Sequence, residues 1–309
     1  MPAELALGLS WRSGRSGTQA GGVAMVKLKA VDYAQASFPQ PGVDLRWPAS
    51  SIWRPREPAV YSIGIADLKD AVAKGIADFK AMPTFAVFLC IIYPIIGLML
   101  FRLSFGYELL PLVYPILAGF ILLGPFAAVA LYELSRRREQ GLDTSPGHLL
   151  EVFRLPSIGA ITRLGMLLLV IFVVWLTAAQ TMYAQIMGGA VPASLGEFAR
   201  QILTTPAGHQ LIIVGNAVGF VFAVLVLVIS VVSFPMLVDR NVSAATAVRT
   251  SVRAVIVSPL TMAMWGLFVA AALIVGSLPF FFGLAVVFPV LGHATWHLYR
   301  KTVSVDEVI

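Results

Sequence analysis

The chain has 309 residues, 58% of them hydrophobic and only 12% charged, against about 25% charged in an ordinary soluble domain. So few polar side chains cannot cover a water-facing surface of this size, which excludes a wholly water-soluble globule. The net charge of +6 lies beside apolar stretches, where basic residues orient a chain in a bilayer, and nucleic acid is not an expected partner.

Residues 1–60 show no periodic pattern, and FPQPGVDLRWPASSIWRPREP (38–58) is punctuated by proline. They are expected to form a largely irregular cytoplasmic tail, with Trp47 and Trp53 as its stray aromatics. The first 24 residues lack a continuous apolar core and do not read as a secretory signal. Met25, followed by VKLKA, is an alternative start. The single cysteine, Cys90, precludes a disulfide framework within the chain.

Residues 61–301 are expected to form the membrane domain, and 302–309 a short cytoplasmic tail. Apolar runs cover residues 84–103, 109–133, 164–187, 211–238, 257–276 and 278–299. Each approaches or exceeds the ~20 residues a helix needs to cross about 30 Å of hydrocarbon. The gaps after the first and fifth runs are a few residues long and require tight hairpins. The expected fold is an all-α membrane protein: six transmembrane helices as three hairpins, with short cytoplasmic amphipathic helices.

The basic residues assign sides. With the N-terminus inside, Arg136, Arg137, Arg138, Arg154, Arg163, Arg240, Arg249, Arg253, Arg300 and Lys301 fall on the cytoplasmic side, and Arg102 and Arg200 on the other. Positive charge close to the spans decides orientation. Both termini are therefore expected in the cytoplasm.

Three cytoplasmic segments run to a proline ahead of a hairpin: AVAKGIADFKAMP (71–83), TSPGHLLEVFRLP (144–156) and AVRTSVRAVIVSP (247–259). Leu68, Val72, Ile76 and Phe79 lie at helical spacing opposite Lys69, Lys74 and Lys80. Val248, Val252 and Val255 repeat this against Arg249 and Arg253. Such a pattern fits a helix lying in the interface, although the third segment also reads as an extension of the fifth span. The hairpin exits PFAAVALYELSRR (125–137) and PVLGHATWHLYRK (289–301) align on Pro125 and Pro289. Tyr132 then matches Trp296, and Arg136 matches Arg300. Duplication and shared boundary physics both account for this.

The strings GFILLGPFAAVALYELSRRRE (119–139), FPMLVDR (234–240) and PVLGHATWHLYRK (289–301) resemble the bacterial integral membrane proteins of domain-of-unknown-function family 2189. The resemblance extends over roughly residues 60–301. It implies a multi-pass protein of the bacterial inner membrane and brings no established activity. Some members carry the label of cytochrome c oxidase subunit.

That label can be tested on chemistry. A haem–copper catalytic subunit needs about six histidines at membrane depth for its haems and copper. This chain has four, His148, His209, His293 and His297, so it is not that subunit. His293 and His297, at i and i+4, share a helix face and suit one metal ion approached from one side. Glu133 and Asp239 at matching depth would complete a cytoplasmic-end cluster. The alternative is that these four residues anchor helix ends near the boundary. No metal, cofactor or catalytic residue is assigned. Thr177, Gln180, Thr181 and Asn216 are polar positions within spans, Asn216 beside a Gly215–Gly219 pair that allows close helix approach. They read as interhelical hydrogen bonding or as the lining of a small cavity. No Ser–His–Asp or Cys–His set, P-loop, GxGxxG or HExxH motif is legible.

The leading functional expectation is a non-catalytic accessory or assembly component of a membrane complex, with a respiratory oxidase as the candidate complex. A small-solute or ion transporter or channel is second, and a metal-handling membrane protein third. The lipid bilayer and subunits of a membrane complex are the expected partners; oligomeric state is not readable.

Overall fold

The computed structural model describes residues 58–82, 110–145, 151–189, 192–279 and 282–303, with Ile95 and Met99. The tail, most of the first apolar run, Cys90 and His148 lie outside the described residues. Within them the chain is all-helical, its one bridge joining Val60 to Val303 antiparallel. The helices are α1 (Ile65–Ala81), α2 (Val113–Leu122), α3 (Gly124–Ala127), α4 (Val129–Glu139), α5 (Ile158–Met187), α6 (Leu195–Thr204), α7 (Pro206–Ser230), α8 (Ser233–Asp239), α9 (Ala244–Val257), α10 (Pro259–Ser277) and α11 (Leu284–Thr302).

Among the described residues three stretches are long and apolar enough to cross a bilayer: Ile158–Met187, Pro206–Asp239 and Pro259–Ser277. The 30 residues of the first reach about 45 Å at 1.5 Å per residue. The run expected at 109–133 is helical but segmented into a 3₁₀ turn at Leu110–Leu112, α2, α3 and the start of α4. Pro125 contributes, because it cannot donate to the carbonyl four residues back. Pro235 does the same for Val231, where α7 gives way to α8. Ser251 of α9 fills that break: its hydroxyl donates to the Val228 carbonyl at 2.7 Å and accepts from Val232 N–H at 3.2 Å.

Short capping side chains fix where helices start. Ser194, Thr205 and Ser243 each accept a first-turn N–H, at 3.1, 3.0 and 3.1 Å, satisfying donors that a helix leaves open. Gly188, at φ 76°, ends α5 in the left-handed region that glycine enters without strain. At Ser258 the helix ladder stops before Pro259, so α9 is a helix distinct from α10. The 247–259 segment is thus not a plain extension of the fifth span.

The amphipathic α1 is seated differently from its sequence pattern. The face buried in the protein is Leu68, Ala71, Gly75 and Asp78, while Ile76 is 38% exposed and Val72 and Phe79 are half-buried. This narrow face lies antiparallel along α11. At Gly75 a Cβ would stand 2.6 Å from the Ala294 nitrogen, so the two backbones touch. Lys301 at the end of α11 reaches Asp67 at 3.1 Å and Asp70 at 3.0 Å near the start of α1. Before α1, Ile63 N–H donates to Ser258 at 3.0 Å, and Thr261 donates to the Ile63 carbonyl at 3.0 Å.

Candidate functional site: a buried Asp–Ser–His–His cluster

Helices α1, α4 and α11 meet around a polar core that the sequence reading did not anticipate. Asp78 is 3% exposed, Ser135 1% and His293 not at all. Ser135 donates its hydroxyl proton to Asp78 Oδ2 at 2.6 Å, and the serine oxygen itself lies 2.7 Å from His293 Nδ1. An ionised carboxylate only accepts, so the serine proton is committed to Asp78. His293 must then donate through Nδ1–H. Its buried Nε2 meets no hydrogen-bond partner among the described residues. His297 Nε2 lies 2.9 Å from Asp78 Oδ2 and donates to it, while Arg138 pairs with Oδ1.

The electrostatics of Asp78 follow from these contacts. Burial pushes its carboxyl up, but hydrogen bonds from His297 and Ser135, with the nearby imidazoles, outweigh burial and hold it below its ordinary 3.8. A buried carboxylate kept ionised by fixed donors binds three elements together. Serine, histidine and aspartate do meet here, but not as a nucleophilic set. That chemistry needs a histidine to take the serine proton and a carboxylate to orient the histidine. Here the serine gives its proton to the carboxylate and stands between the other two.

The four residues expected at one metal-type cluster fall into three groups. Glu133 receives Arg136 through two nitrogens, at 2.7 and 2.8 Å, with Arg137 at 3.5 Å. Asp239 accepts from Tyr299 OH at 2.6 Å and Arg300 at 3.4 Å. His293 and His297 instead share the Asp78–Ser135 pair. Among the described residues no group of three or more His, Cys, Asp or Glu side chains is arranged to hold a metal ion. The arginines do more than mark a side: Arg137 also meets Glu151 at 2.6 Å, and Arg300 meets Glu139 at 3.0 Å beside the Trp296 indole N–H, 2.9 Å from the same carboxylate.

The polar positions within the spans divide too. Gln180, Thr177 and Thr181 are exposed. The two threonines donate to Val173 and Thr177 carbonyls of their own helix, at 2.9 and 2.8 Å. Asn216 bonds elsewhere, accepting from Tyr114 OH at 3.0 Å. His209 Nε2 lies 2.8 Å from the Leu203 carbonyl.

Asp78 and Ser135 were missed for one reason. Each sits in a segment whose obvious apolar or basic pattern suggested another role. The available signal was spacing: Leu68, Ala71, Gly75 and Asp78 fall at i, i+3, i+7 and i+10, one helix face, and small residues on it announce close packing.

A family model described as a predicted integral membrane protein (DUF2189) matches residues 113–239. The chain resembles this family. The DUF2189 match runs from α2 to the end of α8, so Glu133, Ser135, the arginines 136–138 and Asp239 lie inside it. Asp78, His293 and His297 lie outside, as does the 289–301 string. No curated protein and no solved structure is matched by the chain. The family match and, among the described residues, three stretches of spanning length and apolarity make the chain an integral membrane protein.

Proposed function

We propose that the protein is a non-catalytic component of a larger membrane complex, acting as an accessory or assembly partner. In this reading it lies in the bacterial inner membrane with both termini cytoplasmic. The six apolar runs cross as three hairpins, and α1 and α9 lie at the cytoplasmic side. The observation that carries the reading is the burial of the polar cluster: Asp78, Ser135 and His293 are buried, and the Ser135 hydroxyl and the Asp78 carboxylate spend their hydrogen bonds on one another and on α11. A reaction site needs a reachable acid, base or nucleophile, whereas this arrangement ties α1, α4 and α11 together. The respiratory oxidase, named on some relatives in the resemblance, is the first complex to test.

A mild-detergent pull-down of the full chain, with mass spectrometry and a visible absorption spectrum, tests this. Oxidase or other membrane subunits should co-purify, with haem bands in the first case. A colourless assembly of this chain alone would overturn the accessory reading. Transport is the second reading, favoured by the cavity beside Tyr114 and Asn216. That cavity's lining includes none of Glu133, Asp239, His293 or His297, so a route joining the two groups is not supported.

A further inference from the structure

A cavity of about 360 Å³ lies among α2, α5, α6 and α7. It is open on one side, where Tyr114 is 61% exposed and Asn216 is exposed. A space this large is within the range of small-molecule pockets.

Its walls are held in place by their own contacts. The Trp175 indole N–H donates to the Pro115 carbonyl at 2.8 Å, fixing one aromatic face. Tyr183 and Phe198 hold their ring centres 6.2 Å apart, joining α5 to α6. Helix α6 is amphipathic: Phe198 and Ile202 line the cavity, while Glu197 pairs with Arg200 at 2.8 Å on the exposed side. Two glycines of α7 then set the shape. A Cβ at Gly219 would sit 3.2 Å from the Trp175 ring, while a Cβ at Gly215 would meet nothing within 4 Å. The seam between α5 and α7 therefore closes at Gly219 and stays open one turn earlier.

The chemistry of the lining restricts the occupant. Among the described residues no Asp, Glu, Lys, Arg or His side chain lines the cavity, and a charged group would lose hydration there without a counter-charge from them. One polar pair interrupts the apolar wall. Tyr114 OH donates to Asn216 Oδ1 at 3.0 Å, and Asn216 Nδ2 donates to the Ile212 carbonyl at 2.8 Å. A primary amide has two protons on nitrogen, so one remains for a ligand.

We propose that this cavity binds a neutral lipophile, its apolar body among the aromatic side chains and a carbonyl oxygen accepting from Asn216 Nδ2. An ester-linked acyl chain of a membrane phospholipid and a free carbonyl-bearing lipophile share this chemistry. The inference stands independently of the accessory role.

Brominated probes read the site through fluorescence quenching at Trp175. The full chain is reconstituted into vesicles, and the part of the quenching that Trp175→Phe removes is followed. One arm uses phosphatidylcholine with a dibrominated acyl chain; the other adds the methyl ester of dibrominated stearic acid to unbrominated vesicles. Saturable quenching is expected in one arm. The phospholipid arm alone would identify a bilayer acyl chain, and the ester arm alone a free lipophile. Gly215→Leu, which fills the open space, should weaken the response roughly tenfold, since one well-seated apolar group contributes about that much. Asn216→Ala, which keeps the cavity and removes the donor, should weaken it without abolishing it. Circular dichroism and thermal unfolding confirm that both variants fold; if Gly215→Leu does not, Asn216→Ala carries the decision. Quenching that never saturates, or that the folded variants leave unchanged, would overturn the proposal.

Discussion

At the residue scale, Ser135 joins the two halves of the buried cluster. Its single hydroxyl satisfies Asp78 and receives His293, both buried. Ser135→Ala therefore leaves buried His293 Nδ1 without its acceptor and Asp78 Oδ2 with His297 alone. An unsatisfied buried polar atom costs about 1–3 kcal/mol, and thermal unfolding in detergent should show a loss of that order. Ser135→Thr, which keeps the hydroxyl, should recover part of it. The pH dependence belongs to Asp78. Its carboxyl is depressed below 3.8 in the folded protein, so the stabilisation it brings is complete above that value and is lost as pH falls through the lower folded value. The stability difference between the parent and Asp78→Asn should therefore be largest near neutrality and shrink on acidification below about pH 3.8. Asp67 and Asp70 are also depressed, the first mainly by the Gly64 backbone N–H and the second mainly by Lys74. They are present in both proteins and cancel in the difference.

At the element scale, the critical contact is the crossing of α1 and α11. The obstacle at Gly75 is the Ala294 backbone at 2.6 Å, not the tip of a flexible side chain. Gly75→Ala should separate the helices and cost about 1–3 kcal/mol, the usual range for overpacking. Because Asp78 is three residues further along α1, the same substitution should also loosen its bonds to Ser135 and His297. Amide hydrogen exchange in α1 should rise even where global unfolding changes little. The amphipathic helices α1 and α9 were legible in the sequence, since period and proline boundaries are local properties. Which face α1 buries was not. Val72, Ile76 and Phe79 satisfy a periodicity criterion, but Ala71 and Gly75 win because only small side chains admit a second backbone. The break between α7 and α8 was hidden for a similar reason: Pro235 weakens the ladder locally, but the serine that fills it comes from α9.

At the scale of the whole molecule, composition alone assigned the chain to the membrane, and the spans beginning near residues 164, 211 and 257 emerged as three long apolar helices. Hydropathy reads such elements well because lipid imposes one requirement on every residue of a span. The candidate site was less legible. His293 and His297 were identified as a pair on one helix face, and the structure keeps them together. Their partners, Asp78 and Ser135, are 215 and 158 residues before His293, and no local rule joins them. Glu133 and Asp239, expected at the same depth, pair instead with arginines and a tyrosine. Depth along a span is readable from sequence, whereas the neighbour across a helix interface depends on rotation and packing.

The most direct test of the membrane account is thiol labelling of two single-cysteine variants in a Cys90→Ser background. Leu142→Cys follows α4 at the arginine-rich end, and Gly196→Cys lies in α6 beyond the far end of α5; both positions are exposed. If α5 crosses the bilayer with the arginine-rich end inside, a membrane-impermeant reagent should label Gly196→Cys in intact cells and Leu142→Cys only after permeabilisation. Labelling of both in intact cells, or of Leu142→Cys alone, would contradict the account.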